Sequence, residues 1–400
     1  MGLQTLDDLA VAGRTIGVRV DLNSPLTDAG ELADDGRLRA HAETIGELLD
    51  REGRVAVLAH QGRPGGADFE SLAAHARRLD DLLEAPIDFT DATFSEQARD
   101  VVDDLADGEA VVLENTRFYS EEYMEFEPDR AAETHLVRRL APHLDAYVND
   151  AFAAAHRSQP SLVGFPRTLP AYAGRVMERE IDVLGAVDET PPPRAYVVGG
   201  AKVADALEVV EHGLETGLAD EVLTSGLVAN VFLLAAGYDL GEESRDVVAE
   251  RGYEGEIDRA ADLLDEHADR IQLPVDLAVD SDGERVDVAV ADLPPASDGP
   301  VMDIGERTVD AYGERLDSVG TAVLNGPAGV FEDPLFEAGT RDLFERVAAA
   351  EYSIAGGGDT GAAIERFDIE GFDHVSSGGG AALRMLTGDR LPAIAVLEGE

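Results

Sequence analysis

One lysine stands in a chain whose 31 other cationic side chains of the Lys/Arg type are all arginine. It is Lys202, directly after Gly199-Gly200-Ala201 at the end of the apolar run Ala195 to Val198. A glycine turn lets the backbone come close to a ligand, and a compact ammonium beside it suits a phosphate oxygen where a planar guanidinium would not substitute. The alternative is a general preference for arginine, with Lys202 as its remnant, and composition alone does not separate the two. The turn is not a Walker A loop, because Ala201 precedes the lysine and Val203 follows it. With no second lysine in the chain, a P-loop kinase is excluded.

A second glycine turn, Gly356-Gly357-Gly358-Asp359-Thr360-Gly361, follows Tyr352 to Ala355 and leads into a helical pattern. Free N–H groups at such a helix start face an anion, and the helix dipole favours it. Gly356, Gly358 and Gly361 fit G-x-G-x-x-G, but where a dinucleotide fold would place an acid about 20 residues later the chain has Ser376-Ser377-Gly378-Gly379-Gly380-Ala381. Asp359 makes better sense as a Mg²⁺ ligand, since that ion is held by one or two carboxylates plus substrate phosphates. A third turn, Asn325-Gly326-Pro327-Ala328-Gly329-Val330-Phe331-Glu332, reads equally as ligand-facing or as structural.

The first half carries a different chemistry. Asp21, Asn23, Arg37, His60, Arg63, Arg117 and Arg157 fall at or near the ends of strand-like runs. Each arginine taken singly is explained by pairing with a surface acid. Together they suggest a basic pocket, which a small anion needs in a chain of net charge −50.

That charge comes from 82 acidic against 32 basic residues in 400. At about 1 M salt the Debye length falls to about 3 Å and such a surplus is tolerated. The acids spread over nearly every element, so the reading favoured over an acidic interaction protein is adaptation to a high-salt cytosol. Nucleic acid and anionic membranes are disfavoured as partners. The absence of cysteine excludes disulfides and thiolate metal sites. No apolar run of about 18 residues and no basic-then-apolar leader is visible, which points to the cytoplasm.

Elements that could position these residues recur along the chain. Strand-like runs fall at Thr15 to Val20, Val55 to Ala59, Ala110 to Leu113, Ala146 to Val148, Ala195 to Val198, Glu221 to Leu223, Leu277 to Val279, Thr321 to Leu324, Tyr352 to Ala355 and Ile394 to Leu397. Helical spacing separates most of them, as in Leu38, Ile45, Leu48 and Leu49. The expected fold class is α/β with parallel sheets and ligands at the carboxyl ends of strands. A helix over about 173–187 followed by Pro191-Pro192-Pro193 marks a domain junction, and no internal repeat is evident.

In order, Arg19-Val-Asp21-Leu-Asn23-Ser-Pro25, His60-Gln-Gly62-Arg63-Pro64, Leu113-Glu114-Asn115-Thr-Arg117-Phe118, Asn149-Asp150-Ala-Phe152 through His156-Arg157, Gly199-Gly200-Ala201-Lys202-Val203, Asn325 to Phe331 and Gly356 to Asp359 resemble the phosphoglycerate kinase family over essentially the whole chain. The resemblance implies two Rossmann-like domains, each a parallel sheet flanked by helices, facing across a hinged cleft. It divides the chain into a phosphoglycerate-binding domain at 1–172 to which 388–400 returns, a helix and linker at 173–190, and a nucleotide-binding domain at 191–387. It implies reversible phosphoryl transfer from 1,3-bisphosphoglycerate to ADP, giving 3-phosphoglycerate and ATP, with Mg²⁺ toward Asp359. It assigns Asp21, Asn23, Arg37, His60, Arg63, Arg117 and Arg157 to the glycerate substrate. Gly200, Lys202, Asn325, Glu332, Gly357, Gly358, Asp359 and Thr360 go to the nucleotide, and Arg37, Lys202 and Gly379 to catalysis. Composition and resemblance together suggest a halophilic, archaeal-type member, monomer or homodimer. Many members have a second lysine four residues after the first, where this chain has Ala206.

Overall fold

A computed structural model describes residues 2–27, 29–296 and 299–399. It resolves into two compact units, residues 1–182 with 390–400, and residues 183–389.

Unit 1 holds six parallel strands, β1 (Thr15–Arg19), β2 (Arg54–Leu58), β3 (Ile87–Thr90), β4 (Ala110–Leu113), β5 (Ala146–Asn149) and β6 (Ala171–Ala173), in the order β3-β4-β2-β1-β5-β6. The β-branched runs form these strands because both faces of the sheet are covered, so nearly every position is apolar. Alternate residues serve opposite layers. Val55 and Val57 pack with Leu38, Ile45 and Leu48 of the helix Gly36–Asp50. Ala56 and Leu58 pack with Val102, Leu136 and Leu140 on the other side. Each such Val or Leu contributes about 1.5–3 kcal/mol by leaving water.

Unit 2 repeats this plan with β7 (Arg194–Val198), β8 (Glu221–Thr224) and β9 (Ile271–Gln272). Three antiparallel strands follow, β10 (Asp276–Ser281), β11 (Glu284–Ala289) and β12 (Val301–Ile304), and then β13 (Thr321–Asn325), β14 (Ser353–Gly356) and β15 (His374–Val375). The parallel sheet runs β15-β14-β13-β7-β8-β9. In both units the strand order reverses at the first strand, so β1 lies between β2 and β5, and β7 between β8 and β13. That is where an open α/β sheet leaves a crevice for ligands.

Three expectations need correction. Ile394 to Leu397 is not a strand but part of the helix Pro392–Leu397. Pro392 at its first turn supplies a helical φ and no unused N–H, which a four-residue apolar run cannot signal by itself. Leu277 to Val279 belongs to the antiparallel sheet, paired with β11 through Asp282-Gly283, both at positive φ (56° and 83°). Such a two-residue Asp-Gly turn favours hairpins. Ala173, expected at a helix start, ends β6, and the helix occupies Arg175–Gly185. The division between the units falls inside this helix, after Asp182.

Candidate active site

The loop after β1 carries Asp21 and Asn23. Asp21 accepts from the Arg37 guanidinium and from the Asn23 N–H, the latter at 3.2 Å. Burial is the largest single influence and opposes its charge, but Arg37, His60, His41 and the Asn23 N–H together outweigh it and hold the carboxyl well below the usual range. Asn23 Oδ1 accepts the Gly62 N–H at 2.7 Å, and Arg117 donates to the Gly62 carbonyl at 2.7 Å. Gly62 has φ +64°, and a Cβ there would lie 2.2 Å from the Asp68 carbonyl oxygen, so only glycine lets these loops meet. Asn115 braces them, donating to the carbonyls of Gln61 at 2.8 Å and Glu70 at 2.9 Å.

His60 is buried, and its Nδ1 lies 3.0 Å from an Arg19 guanidinium nitrogen. Guanidinium only donates, so Nδ1 accepts and the ring proton sits on Nε2. Burial pushes the His60 pKa well below its ordinary value, and the neighbouring arginines push the same way. The ring is therefore a neutral donor at pH 7. Burial also lowers Arg117 to about 10, helped by the charges of Arg157, Arg19 and Arg63. Arg157 is lowered by burial and by Arg63. Both remain cations at neutral pH. Arg63 is exposed beside Gly62. All seven residues expected in this half thus belong to one neighbourhood of crowded positive charge, in which Asp21 acts as a negative group on both His60 and Arg157, and Glu125 on Arg157.

Two members were missed as site residues. Arg19, fully buried in β1, also donates to Ser161 Oγ at 3.0 Å and sets the His60 tautomer. A charged residue inside an apolar strand run was the available signal. His41, one helical turn after Arg37, accepts the Asp21 N–H at 3.2 Å. Nothing in its local sequence marks it.

Unit 2 builds its site from backbone. The turns after β7 and β13 interlock, with Gly199 N–H donating to the Asn325 carbonyl and Gly200 N–H to that of Pro327, each at 2.7 Å. A Cβ on Gly326 would come within 2.3 Å of the Gly199 oxygen. The helices Val203–Thr216, Gly358–Arg366 and Gly379–Leu386 begin here, each without a side-chain cap. Their first N–H groups have no partner inside the helix, so three positive helix ends face one place. Lys202 caps the first helix, with Nζ 3.9 Å from the Asp359 carboxylate and both side chains mostly exposed. Gly379 approaches so closely that a Cβ would meet the Gly358 N at 3.0 Å.

The side chains of Asn325 and Thr360 also brace the neighbouring turns. Asn325 Nδ2 donates to the Gly356 carbonyl at 3.0 Å, and Thr360 Oγ1 accepts the Gly326 N–H at 2.9 Å. The Thr360 side chain is fully buried. Gly200, Asp359 and Glu332 line an adjoining cavity of about 580 Å³ with Ala201, Asn230 and Met302, a volume suited to a nucleoside. Asn230, not anticipated, is buried there and its Oδ1 has no partner among the described residues. Ala206 is buried in the helix that Lys202 caps. No cluster of three or more metal-ligating side chains exists among the described residues. The open carboxylate of Asp359, with few other acids beside the glycine turns, fits an ion held mainly by a ligand's phosphates.

A model of the family described as phosphoglycerate kinase matches residues 6–389. The chain is 65% identical to a phosphoglycerate kinase of Halobacterium salinarum, over 99% of this chain and 100% of that protein. It is 60% identical to one of Natronomonas pharaonis over 99% of each. The crystal structure of phosphoglycerate kinase from Pyrococcus horikoshii OT3 superposes with a TM-score of 0.93 at 40% identity, covering 99% of this chain and 98% of that one. With the fold, the two strand-end sites and these likenesses in agreement, the chain belongs to the phosphoglycerate kinase family and is a phosphoryl-transferring enzyme of glycolysis.

Proposed function

We propose that unit 1 takes the acceptor, 3-phosphoglycerate or its acyl phosphate, and that unit 2 takes ADP or ATP. The observation that carries this division is the crowding of Arg117 and Arg157, whose basicity is lowered by burial and by the charges of Arg19 and Arg63, in a chain of net charge −50. Cations held together against their own repulsion are stabilised by a bound dianion. Asp21, Asn23 and the Nε2–H of His60 orient the glycerate end, and the arginines hold its phosphate.

The attacking group is a carboxylate, ionised at neutral pH, so no residue has to remove a proton. Catalysis reduces to alignment and charge neutralisation. Arg37 and Lys202 serve the equatorial oxygens of the transferring phosphoryl group, with the amides of Gly357 to Thr360 and of Gly379. Asp359 would hold Mg²⁺, which when bound neutralises the nucleotide phosphates. Glu332 and the cavity beside Asn230 take the nucleoside. A high-salt cytosol is the proposed setting, consistent with the acidic surplus and the halophilic relatives; unfolding followed from low to multimolar KCl should show stability rising with salt.

Hydrogen exchange with each ligand alone tests the division. 3-Phosphoglycerate should slow exchange at residues 19–23, 60–63 and 115–117, and ADP at 199–203, 325–332 and 356–361. Protection of the first set by ADP alone would overturn it.

A further inference from the structure

The helix Gly36–Asp50 presents Arg37, His41 and Thr44 along one stripe, at the i, i+4, i+7 spacing that stacks side chains on a helix face. Arg37 pairs with Asp21. His41 and Thr44 are buried, and both lead to the first turn of the helix Arg175–Gly185. Thr44 Oγ1 accepts the Arg175 N–H at 2.9 Å. His41 Nδ1 lies 2.7 Å from Asp150 Oδ2, while Asp150 Oδ1 accepts the N–H groups of Val176 at 2.9 Å and Met177 at 3.3 Å. The other ring nitrogen, Nε2, accepts the Asp21 N–H.

These contacts leave one arrangement of protons. A backbone amide can only donate, so Nε2 carries no hydrogen, and the ring proton lies on Nδ1, pointed at the Asp150 carboxylate. We propose that His41 is a positioning residue: held as its Nδ1–H tautomer by Asp150, it fixes the Asp21 backbone and so the Asp21–Arg37 pair that orients the acceptor. This rests on the assignment of Asp21 and Arg37 to the glycerate substrate. It makes the start of the helix that leaves unit 1 for unit 2 part of the support of the acceptor site. His41 does not reach a ligand, and it acts through the tautomer it is held in.

Asp150→Asn separates this from a merely structural role. The substituted amide keeps an oxygen for the helix N–H groups, so the helix start remains capped, but its NH₂ faces Nδ1. The proton must then move to Nε2, where it opposes the Asp21 N–H. In the parent, ¹⁵N shifts of the His41 ring should report the Nδ1–H form, and in Asp150→Asn the Nε2–H form. The KM for 3-phosphoglycerate should rise about tenfold, the loss of one hydrogen bond's alignment, with the KM for ATP within about twofold. His41→Leu should raise the same KM, and His41→Leu with Asp150→Asn should be no worse than His41→Leu alone, because both act through one bond. An Nε2–H parent, or an Asp150→Asn enzyme with unchanged KM while Arg37→Ala raises it, overturns the proposal. An unchanged KM in Arg37→Ala would instead remove the substrate assignment, and the proposal with it.

Discussion

The two units share a strand plan and place their proposed sites at the same point of it, yet those sites are built by opposite means. Beyond β1 and β2, unit 1 supplies long charged side chains, braced by Asn115 and Gly62 and crowded until burial and mutual repulsion lower the pKa of Arg117 to about 10. Beyond β7 and β13, unit 2 supplies glycine turns and three uncapped helix starts. The difference teaches how charge can be delivered in a strongly acidic chain. Guanidinium groups carry full charge but must be kept from the surrounding acids, whereas backbone amides carry partial charge and cannot be neutralised by them.

Lys202 is the exception in unit 2, a full charge among amides, and removing it should have the largest effect. Lys202→Ala is expected to lower kcat by about 10²–10³-fold, with the KM for ATP changed only a few-fold. A steady-state assay that found near-normal turnover would show that the amides suffice. Arg63→Ala comes next: it should raise the KM for 3-phosphoglycerate by roughly 10–100-fold, as for loss of a charged hydrogen bond, and leave the nucleotide KM alone. Equal effects on both substrates would erase the contrast between the units. Gly357→Ala attacks the backbone side. Gly357 has φ +112°, and a Cβ would lie 2.9 Å from Thr360 Oγ1, so strain of about 1–3 kcal/mol should weaken ADP binding several-fold or more in calorimetry while 3-phosphoglycerate binding stays unchanged.

The fourth effect is on stability in acid rather than on ligands. Buried His75 in unit 1 donates from Nε2 to Gln61 Oε1 at 3.1 Å, and burial lowers its pKa to about 4. A depressed histidine contributes stability that is full above the unfolded value near 6.5 and is lost as pH falls toward the folded value. Unit 1 should therefore lose about 3 kcal/mol on this account between pH 6.5 and 4. Hydrogen exchange corrected for intrinsic rates should show unit 1 amides losing protection over that range, and His75→Gln should flatten the loss. An equal slope in the variant would assign the acid sensitivity elsewhere.

Strand ends are readable because short β-branched runs abut polar or glycine residues, as at Val198-Gly199 and Leu113-Glu114. Where the run is short and its flanks ambiguous, as at Ile394 to Leu397, a helical turn and a strand look alike. The Asp282-Gly283 hairpin is legible from its turn residues, yet it sits among parallel units that mask it. In the candidate site, the side chains proposed to face a ligand stand out by type and place. The partners of those that hold them do not, because Arg19 meets Ser161 from 142 positions away and His41 meets Asp150 from 109. Asn325 and Thr360 read as ligand contacts, and their side chains also lock neighbouring turns, a second role the sequence does not signal.

The return of residues 390–400 to unit 1 has a consequence for how the chain is made. The helix Pro392–Leu397 buries Ala393, Ile394, Val396 and Leu397, and the Ala393 N–H donates to the Ala155 carbonyl at 3.1 Å. A ribosome delivers that helix only after all of unit 2 has emerged. The unit begun first is thus completed second, and until then it exposes the apolar surface the helix will cover.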